Sequence, residues 1–289
     1  MGYLFIAPAL IFLYFMTIYP MGKVIYDSLF DYSMGYKGGH FIGIVNYISL
    51  FKDKLLLTSL KNTIIFSLGA VIFHLILGLF LAILLNQHFN KKNNFLQNLF
   101  RGAFLMPWLF SSAVAAAIWA LMFNPFGIIN YALSKFGLGP ISFLGDSTIA
   151  MWSVIWVDVW KFFPFSMVMI LAGLQSIPIE LYEASTIDGA SRMGQFRYVT
   201  LPLLTPVIIV ITTLDFIWSF GFFDMIWLLT RGGPMDATEV LATYNYKTAF
   251  LGLKFGYASS ISVVIFIILL ILSLIYLRIY RKSSEGRVV

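Results

Sequence analysis

The chain has 289 residues, 60% of them hydrophobic and 11% charged, with a mean hydropathy of +0.88. That is more apolar surface than one water-soluble core could cover, so a soluble globular domain is excluded and lipid is required. The net charge of +6 gathers in loops and at the tail, and no basic run is interleaved with exposed aromatics as a nucleic-acid groove requires; the absence of cysteine removes disulfides, thiolate ligands and thiol nucleophiles.

A hydrocarbon core about 30 Å thick takes about 20 apolar residues wound as a helix, the conformation that satisfies every backbone group internally. Stretches 3–19, 63–85, 104–123, 149–174, 207–229 and 261–277 meet that requirement, which predicts an all-α polytopic protein of about six spans in a single membrane domain, 1–289. The first stretch has no preceding basic residue and no small-x-small cleavage site, so it reads as a retained span; Ile6 occupies the position where a myristoylation pattern needs Ser or Thr. Segment 30–62 is predicted as an outer loop with Gly38-Gly39, Asn46-Tyr47 and a short interfacial helix. Segment 124–148 is a second outer loop, marked by Pro125, Gly127, Gly137, Gly139 and Pro140. Between the fifth and sixth stretches, Arg231-Gly232-Gly233-Pro234 is a strong helix breaker.

An even number of spans puts both termini on one side. Arg278, Arg281, Lys282 and Arg287 in the tail, with Lys91, Lys92 and Arg101 in an acid-free loop, predict that this side is the cytoplasm. The basic residues are nearly balanced over all loops, and their concentration near span ends tips the assignment.

Segment 177–206 interrupts the apolar text with Ile177-Pro178-Ile179-Glu180-Leu181-Tyr182-Glu183-Ala184-Ser185-Thr186-Ile187-Asp188-Gly189-Ala190. Ser176 is placed to cap a helix that accepts Pro178 in its first turn, Asp188-Gly189 to turn the chain, Ser191 to start a second short helix, and Pro202 and Pro206 to limit it. The result is a stiff knob between two spans. Ala184 and Ser185 let a partner's backbone approach, while Glu183 and Asp188 offer carboxylates to its Arg or Lys residues. An amphipathic helix lying among lipid headgroups is the plainer alternative; the mix of acidic and basic residues fits it poorly.

This segment resembles the EAA loop of the permease subunits of binding-protein-dependent ABC importers, with Glu183, Ala184, Gly189, Leu201 and Pro202 in register, Ser185 in place of the second Ala, and Val199 in place of Ile. The likeness extends through Asn46-Tyr47, Leu60-Lys61-Asn62-Thr63, Phe123-Asn124-Pro125, Gly127-Ile128-Ile129-Asn130, Trp160 with Pro164, Leu171–Pro178, Leu229–Pro234 and Phe255-Gly256-Tyr257-Ala258. Across nearly the whole chain it looks like the carbohydrate-uptake branch, of the maltose- and glycerol-phosphate-type first permease. The resemblance implies the type I importer permease fold and a cytoplasmic coupling loop at Glu183, Ala184, Ser185, Asp188 and Gly189. It implies a sister permease, a dimeric ATPase binding ATP and Mg²⁺, an extracellular solute-binding lipoprotein, a carbohydrate substrate, and residence in a prokaryotic cytoplasmic membrane.

Charges inside spans are costly and therefore candidates for function. Asp158 and Lys161 share a helix face, where they can neutralise each other or serve a pathway. Asp215 lies deep in the fifth predicted span with no basic residue at helical spacing, while Asp224 falls near that span's outer end. Asp215, Trp218, Ser219 and Phe222 follow i, i+3, i+4 and i+7, one face carrying a carboxylate, a hydroxyl and two rings. Such a face suits a sugar, whose C–H surface stacks on rings and whose hydroxyls need partners; ordinary packing is the alternative. The resemblance places this face, and Lys161, Phe162 and Phe165 around Pro164, on the sugar pathway. His74 reads as a hydrogen-bonding packing residue, since no second ligand stands three or four positions away. No phosphate loop, zinc pair or nucleophile–base set is present, so the chain itself is expected to be no enzyme and to hold no cofactor. An ion-coupled transporter or channel using Asp215 and the Asp158/Lys161 pair is the competing function; the lack of an inverted repeat disfavours it.

Overall fold

A computed structural model describes residues 2–33, 39–87 and 94–285. Gly38, Lys91, Lys92 and Arg287, which entered the reading of loops and orientation, lie outside the described residues. Among the described residues, five helical runs are long and apolar enough to cross a membrane: Phe5–Asp27, Lys54–Asn86, Ala150–Gln175, Arg192–Phe220 and Phe255–Arg278. A sixth crossing arises if the bent pair Leu99–Leu109 and Ser112–Met122 counts as one.

In chain order, α1 (Gly2–Leu13) passes through a π turn into α2 (Tyr19–Asp27). The hairpin β1 (Phe30–Asp31) with β2 (His40–Phe41) and α3 (Val45–Leu50) lead to α4 (Lys54–Gln87). Next come α5 (Asn94–Leu109), α6 (Ser112–Met122), α7 (Ile128–Ser134) and α8 (Ala150–Gln175). The predicted knob is α9 (Ile179–Ile187) and α10 (Arg192–Gln195), followed by α11 (Leu201–Phe220), α12 (Asp224–Leu229), α13 (Leu241–Tyr246) and α14 (Phe255–Glu285).

The centre of the bundle is α8, whose apolar window is 67% buried against none of the N-terminal run. It lies tight against α4 because Gly78 removes the obstacle between them. A Cβ there would stand 2.8 Å from Ser166 Cβ and 2.9 Å from the Met167 backbone nitrogen. Lipid supplies no hydrophobic drive between helices, so close approach at small residues is what joins them. Leu81, Ala82 and Leu85 of α4, Phe163, Met167 and Ile170 of α8, and Leu204 and Ile211 of α11 then form one core.

Two predicted spans are broken. The stretch 104–123 is two helices bent by 95°. Pro107 removes a donor near the end of α5, and Ser111, in extended backbone, restarts the chain by accepting the Val114 N–H at 3.3 Å. The stretch 207–229 ends its helix at Phe220 with Gly221, and Asp224 opens α12, where an acidic first turn is favourable. The two late pieces pack together: Ala115, Ala116 and Trp119 of α6 bury Met225 of α12 against Val157 of α8. α8 matches the predicted stretch 149–174 to within one residue, whereas the first run, α4 and α14 outrun theirs, and α4 begins well ahead of residue 63.

The end of the bundle away from α9 is pinned by asparagines from the motifs quoted above. Asn46 Nδ2 donates to the Ser28 and Phe30 carbonyls at 2.8 and 3.0 Å. Asn62 donates to those of Asp236 and Glu239 at 2.9 and 3.0 Å, and Asn130 to those of Asn124 and Ile141 at 3.1 and 3.0 Å. Asp53 starts α4 by accepting the Leu55 and Leu56 N–H groups, and its other oxygen accepts the hydroxyls of Tyr244 and Tyr257. Burial opposes the Asp53 charge, but these donors outweigh it and hold the carboxyl below its ordinary value. A depressed pKa gives stability that is present at neutral pH and lost as pH falls through that value.

Gly78→Val is expected to abolish a monodisperse, folded peak in size-exclusion chromatography, since backbone stands where its Cβ must go. Asp53→Ala is expected to cost about 1–2 kcal/mol in thermal unfolding of the detergent-solubilised protein. That loss should shrink as pH is lowered through the acidic range.

Candidate functional site

Two features gather the residues singled out in the sequence, one at each end of α11. At the first, α9 ends in a Schellman turn: the Gly189 N–H donates to the Thr186 carbonyl at 3.0 Å and the Ala190 N–H to that of Ser185 at 2.9 Å, with Gly189 at φ +77°. Ser191 caps α10 by accepting the Gly194 N–H at 3.2 Å, as expected. Ser176 does not cap α9. Its hydroxyl donates to the Gly173 carbonyl, closing α8, and Pro178 occupies the N-cap. Nor do Pro202 and Pro206 interrupt the chain before the next span. A π turn at 196–200, in which the Leu201 N–H reaches the Phe196 carbonyl, shifts the ladder just ahead of Pro202, and the helix runs on.

The knob is stiffened from within. The Gln195 amide donates to Thr186 Oγ1 at 2.9 Å, Ser185 Oγ at 3.1 Å and the Tyr182 carbonyl at 3.3 Å, while the Tyr182 hydroxyl lies 3.0 Å from Thr200 Oγ1 at the foot of α11. Ser185 is therefore half-buried and spent on internal bonds, whereas Glu183, Ala184, Asp188 and Gly189 are exposed. Beside them Ile187 and Met193 are 87% and 72% exposed. Bare apolar side chains thus stand among carboxylates on a rigid support.

The second feature is a cavity of about 380 Å³ where α11 ends, lined by Phe162 of α8, Asp215, Trp218 and Ser219 of α11, and Phe222 in the turn beyond it. Phe222 is there without belonging to the α11 face, because the helix stops two residues earlier. Phe165 sits behind the lining, its ring edge-on to Trp218 at 5.2 Å. Lys161 is not on the lining. Its ammonium donates to the Phe110 carbonyl at 2.9 Å, in the break between α5 and α6, and lies 4.5 Å from the Phe162 ring centroid. Of the two readings of Asp158 and Lys161, direct pairing is thus replaced by separate partners.

Both buried carboxylates turn instead to His74 on α4. Its Nδ1 is 2.9 Å from Asp215 Oδ2, and its Nε2 is 3.5 Å from Asp158 Oδ2 and 3.3 Å from the Asp158 carbonyl. All three side chains are at least nine-tenths buried. His74 is the hydrogen-bonding packer expected, and among the described residues no group of three or more side chains is arranged to hold a metal. Sequence reading missed that it is Asp215's partner, and missed Phe223 and Asp224 as lining residues. A lone histidine and a lone aspartate in two apolar spans were the available signal.

A helical membrane protein with a rigid knob at one end and a ring-lined polar cavity toward the other has the form of a transport subunit. Residues 74–285 match the family described as the binding-protein-dependent transport system inner membrane component, and the chain belongs to it. A probable ABC transporter permease of Bacillus subtilis, YurN, is 35% identical over 98% of this chain and 97% of its own. The trehalose/maltose transport system permease MalF of Thermococcus litoralis is 35% identical over 99% and 95%. Among solved structures, a bacterial alginate ABC transporter in complex with its alginate-bound periplasmic protein superposes with a TM-score of 0.86 at 23% identity, covering 98% of this chain and 94% of that one. The fold is that of a type I importer permease, and the chain is a membrane permease of a binding-protein-dependent ABC importer. The family sets aside the ion-coupled alternative.

His74→Leu leaves two buried carboxylates facing each other without a donor. Thermal unfolding in detergent should show a loss of about 3–5 kcal/mol. His74→Gln, which retains a donor, should lose less.

Proposed function

We propose that this permease moves a saccharide across a prokaryotic cytoplasmic membrane, with both termini in the cytoplasm and the knob facing the compartment that holds ATP. The observation that carries the reading is the cavity at the end of α11, where rings of Phe162, Trp218 and Phe222 stand beside the Asp215 carboxylate and the Ser219 hydroxyl. Rings take the C–H face of a sugar and the polar groups take its hydroxyls. A relative named for trehalose and maltose supports cargo of this class; others are named for the anionic sulfoquinovosyl glycerol and sn-glycerol-3-phosphate, the last of which is not a saccharide.

A second homologous permease completes the cavity. An extracellular solute-binding protein delivers the sugar. Two ATPase subunits, which bind ATP and Mg²⁺, receive the exposed carboxylates of Glu183 and Asp188 and the apolar tip at Ile187 in a surface cleft. Ala184 and Gly189 allow the close approach, and Ser185 holds α9 to α10 through Gln195. When ATP draws the two motors together, each knob is carried inward. Because Tyr182 and Gln195 fasten the knob to the base of α11, the stroke passes into the spans that wall the cavity. Closing the knob end opens the opposite end to the delivered sugar, and hydrolysis reverses the movement.

Glu183→Lys and Ile187→Asp, both at exposed positions, should leave insertion and thermal stability intact. Each should lower co-purification of the ATPase and saccharide uptake in proteoliposomes by about tenfold or more. Undiminished co-purification and uptake in both variants would contradict the docking role.

A further inference from the structure

The charge of the cavity lining narrows the substrate beyond "saccharide". Three carboxylates face it, Asp158 and Asp215 from the spans and Asp224 from the first turn of α12. The first two share His74. An imidazolium there and the Lys161 ammonium, whose charge acts on Asp158 and Asp224, balance at most two of the three, so one negative charge remains in excess. Asp224 is exposed to the cavity and unassisted by that imidazole. The described cation closest in sequence to these groups, Lys161, is withdrawn from the lining: its ammonium is held by the Phe110 carbonyl and lies against the Phe162 ring. What the cavity offers a ligand is therefore acceptor oxygens and ring faces, Phe162, Trp218 and Phe222 among them.

Resting on the reading of this cavity as the sugar site, the geometry points to a permease that admits neutral and amino-bearing saccharides and rejects acidic ones, with Asp224 as a specificity-determining residue. Hydroxyl and ammonium groups donate to carboxylates, and charge assistance strengthens those bonds. A uronate, sulfonate or phosphate on the sugar brings only acceptors and like charge. At the exposed Asp224 that repulsion is strongest at low ionic strength. Rejection of this kind is a matter of placing a repulsive group against the wrong ligand, and it does not require tight binding of the right one.

The test uses the intact transporter, purified with its partner subunits but without the solute-binding protein, so that the discrimination measured belongs to the membrane cavity. Saturation-transfer NMR titrations compare three probes of one length: maltotriose, the trimer of glucosamine, and trigalacturonate. The neutral and amino trimers are expected to bind, and trigalacturonate at least about tenfold more weakly at low salt. Added salt should narrow the gap, since Asp224 is exposed. In Asp224→Asn, which keeps a polar side chain of the same shape, the gap should close by threefold or more, trigalacturonate gaining relative to maltotriose whatever the change in maltotriose binding itself. Trigalacturonate binding as tightly as maltotriose to the wild type, or a gap unchanged in Asp224→Asn, would overturn the inference. If none of the three trimers binds the wild type, the sugar-site reading itself fails, and the inference falls with it.

Discussion

A single imidazole holds together the three helices on which the rest of the molecule is hung. Ionisable groups in lipid-embedded helices cost several kcal/mol each unless paired. Here two carboxylates, on α8 and α11, are made tolerable by one histidine on α4. The clamp works only if α4 and α8 come close enough, and that is set by Gly78, which lets the helices meet at the Ser166–Met167 backbone. Packing thus places the histidine, and the histidine fixes the depth and rotation of Asp158 and Asp215. The cavity inherits its geometry from that arrangement.

Around this clamp the two broken spans have opposite consequences. The bend between α5 and α6 provides the carbonyl of Phe110 that takes Lys161 out of the cavity. The end of α11 at Gly221 folds Phe222 and Asp224 back over it, because the chain re-enters the bundle as α12 rather than continuing outward. A continuous fifth span would have carried these residues beyond the bundle. Irregular backbone at membrane depth is tolerated where it lines a cavity or is buried in protein, and both breaks are of that kind.

Much of this was legible in the sequence. Apolar runs marked every crossing, the Asp188-Gly189 corner and the Ser191 cap were read correctly, and the asparagines of the quoted motifs proved to be loop pins with carbonyl partners far along the chain. What could not be read was any partnership between helices. Periodicity along one span sees Asp158 and Lys161 three apart on one face, but not that His74 and Phe110 outbid each for the other. Nor does local propensity forecast that a π turn carries a helix through Pro202, or that Gly221 ends one well short of its apolar limit. In each case the deciding partner lies on another element, or the deciding hydrogen bond lies one register away.

The knob, the foot of α11 and the clamped helices are joined so as to move as one body. Because the chain has no cysteine, spin labels can be placed cleanly at two exposed positions, Ile76 on α4 and Ile179 at the start of α9 in the knob, away from the docking tip. The distance between them, measured by electron–electron double resonance in the assembled transporter without nucleotide and with bound ATP, should stay the same within one chain. A shift of several ångströms between the two states would show the knob moving independently of the cavity helices, and would contradict the account.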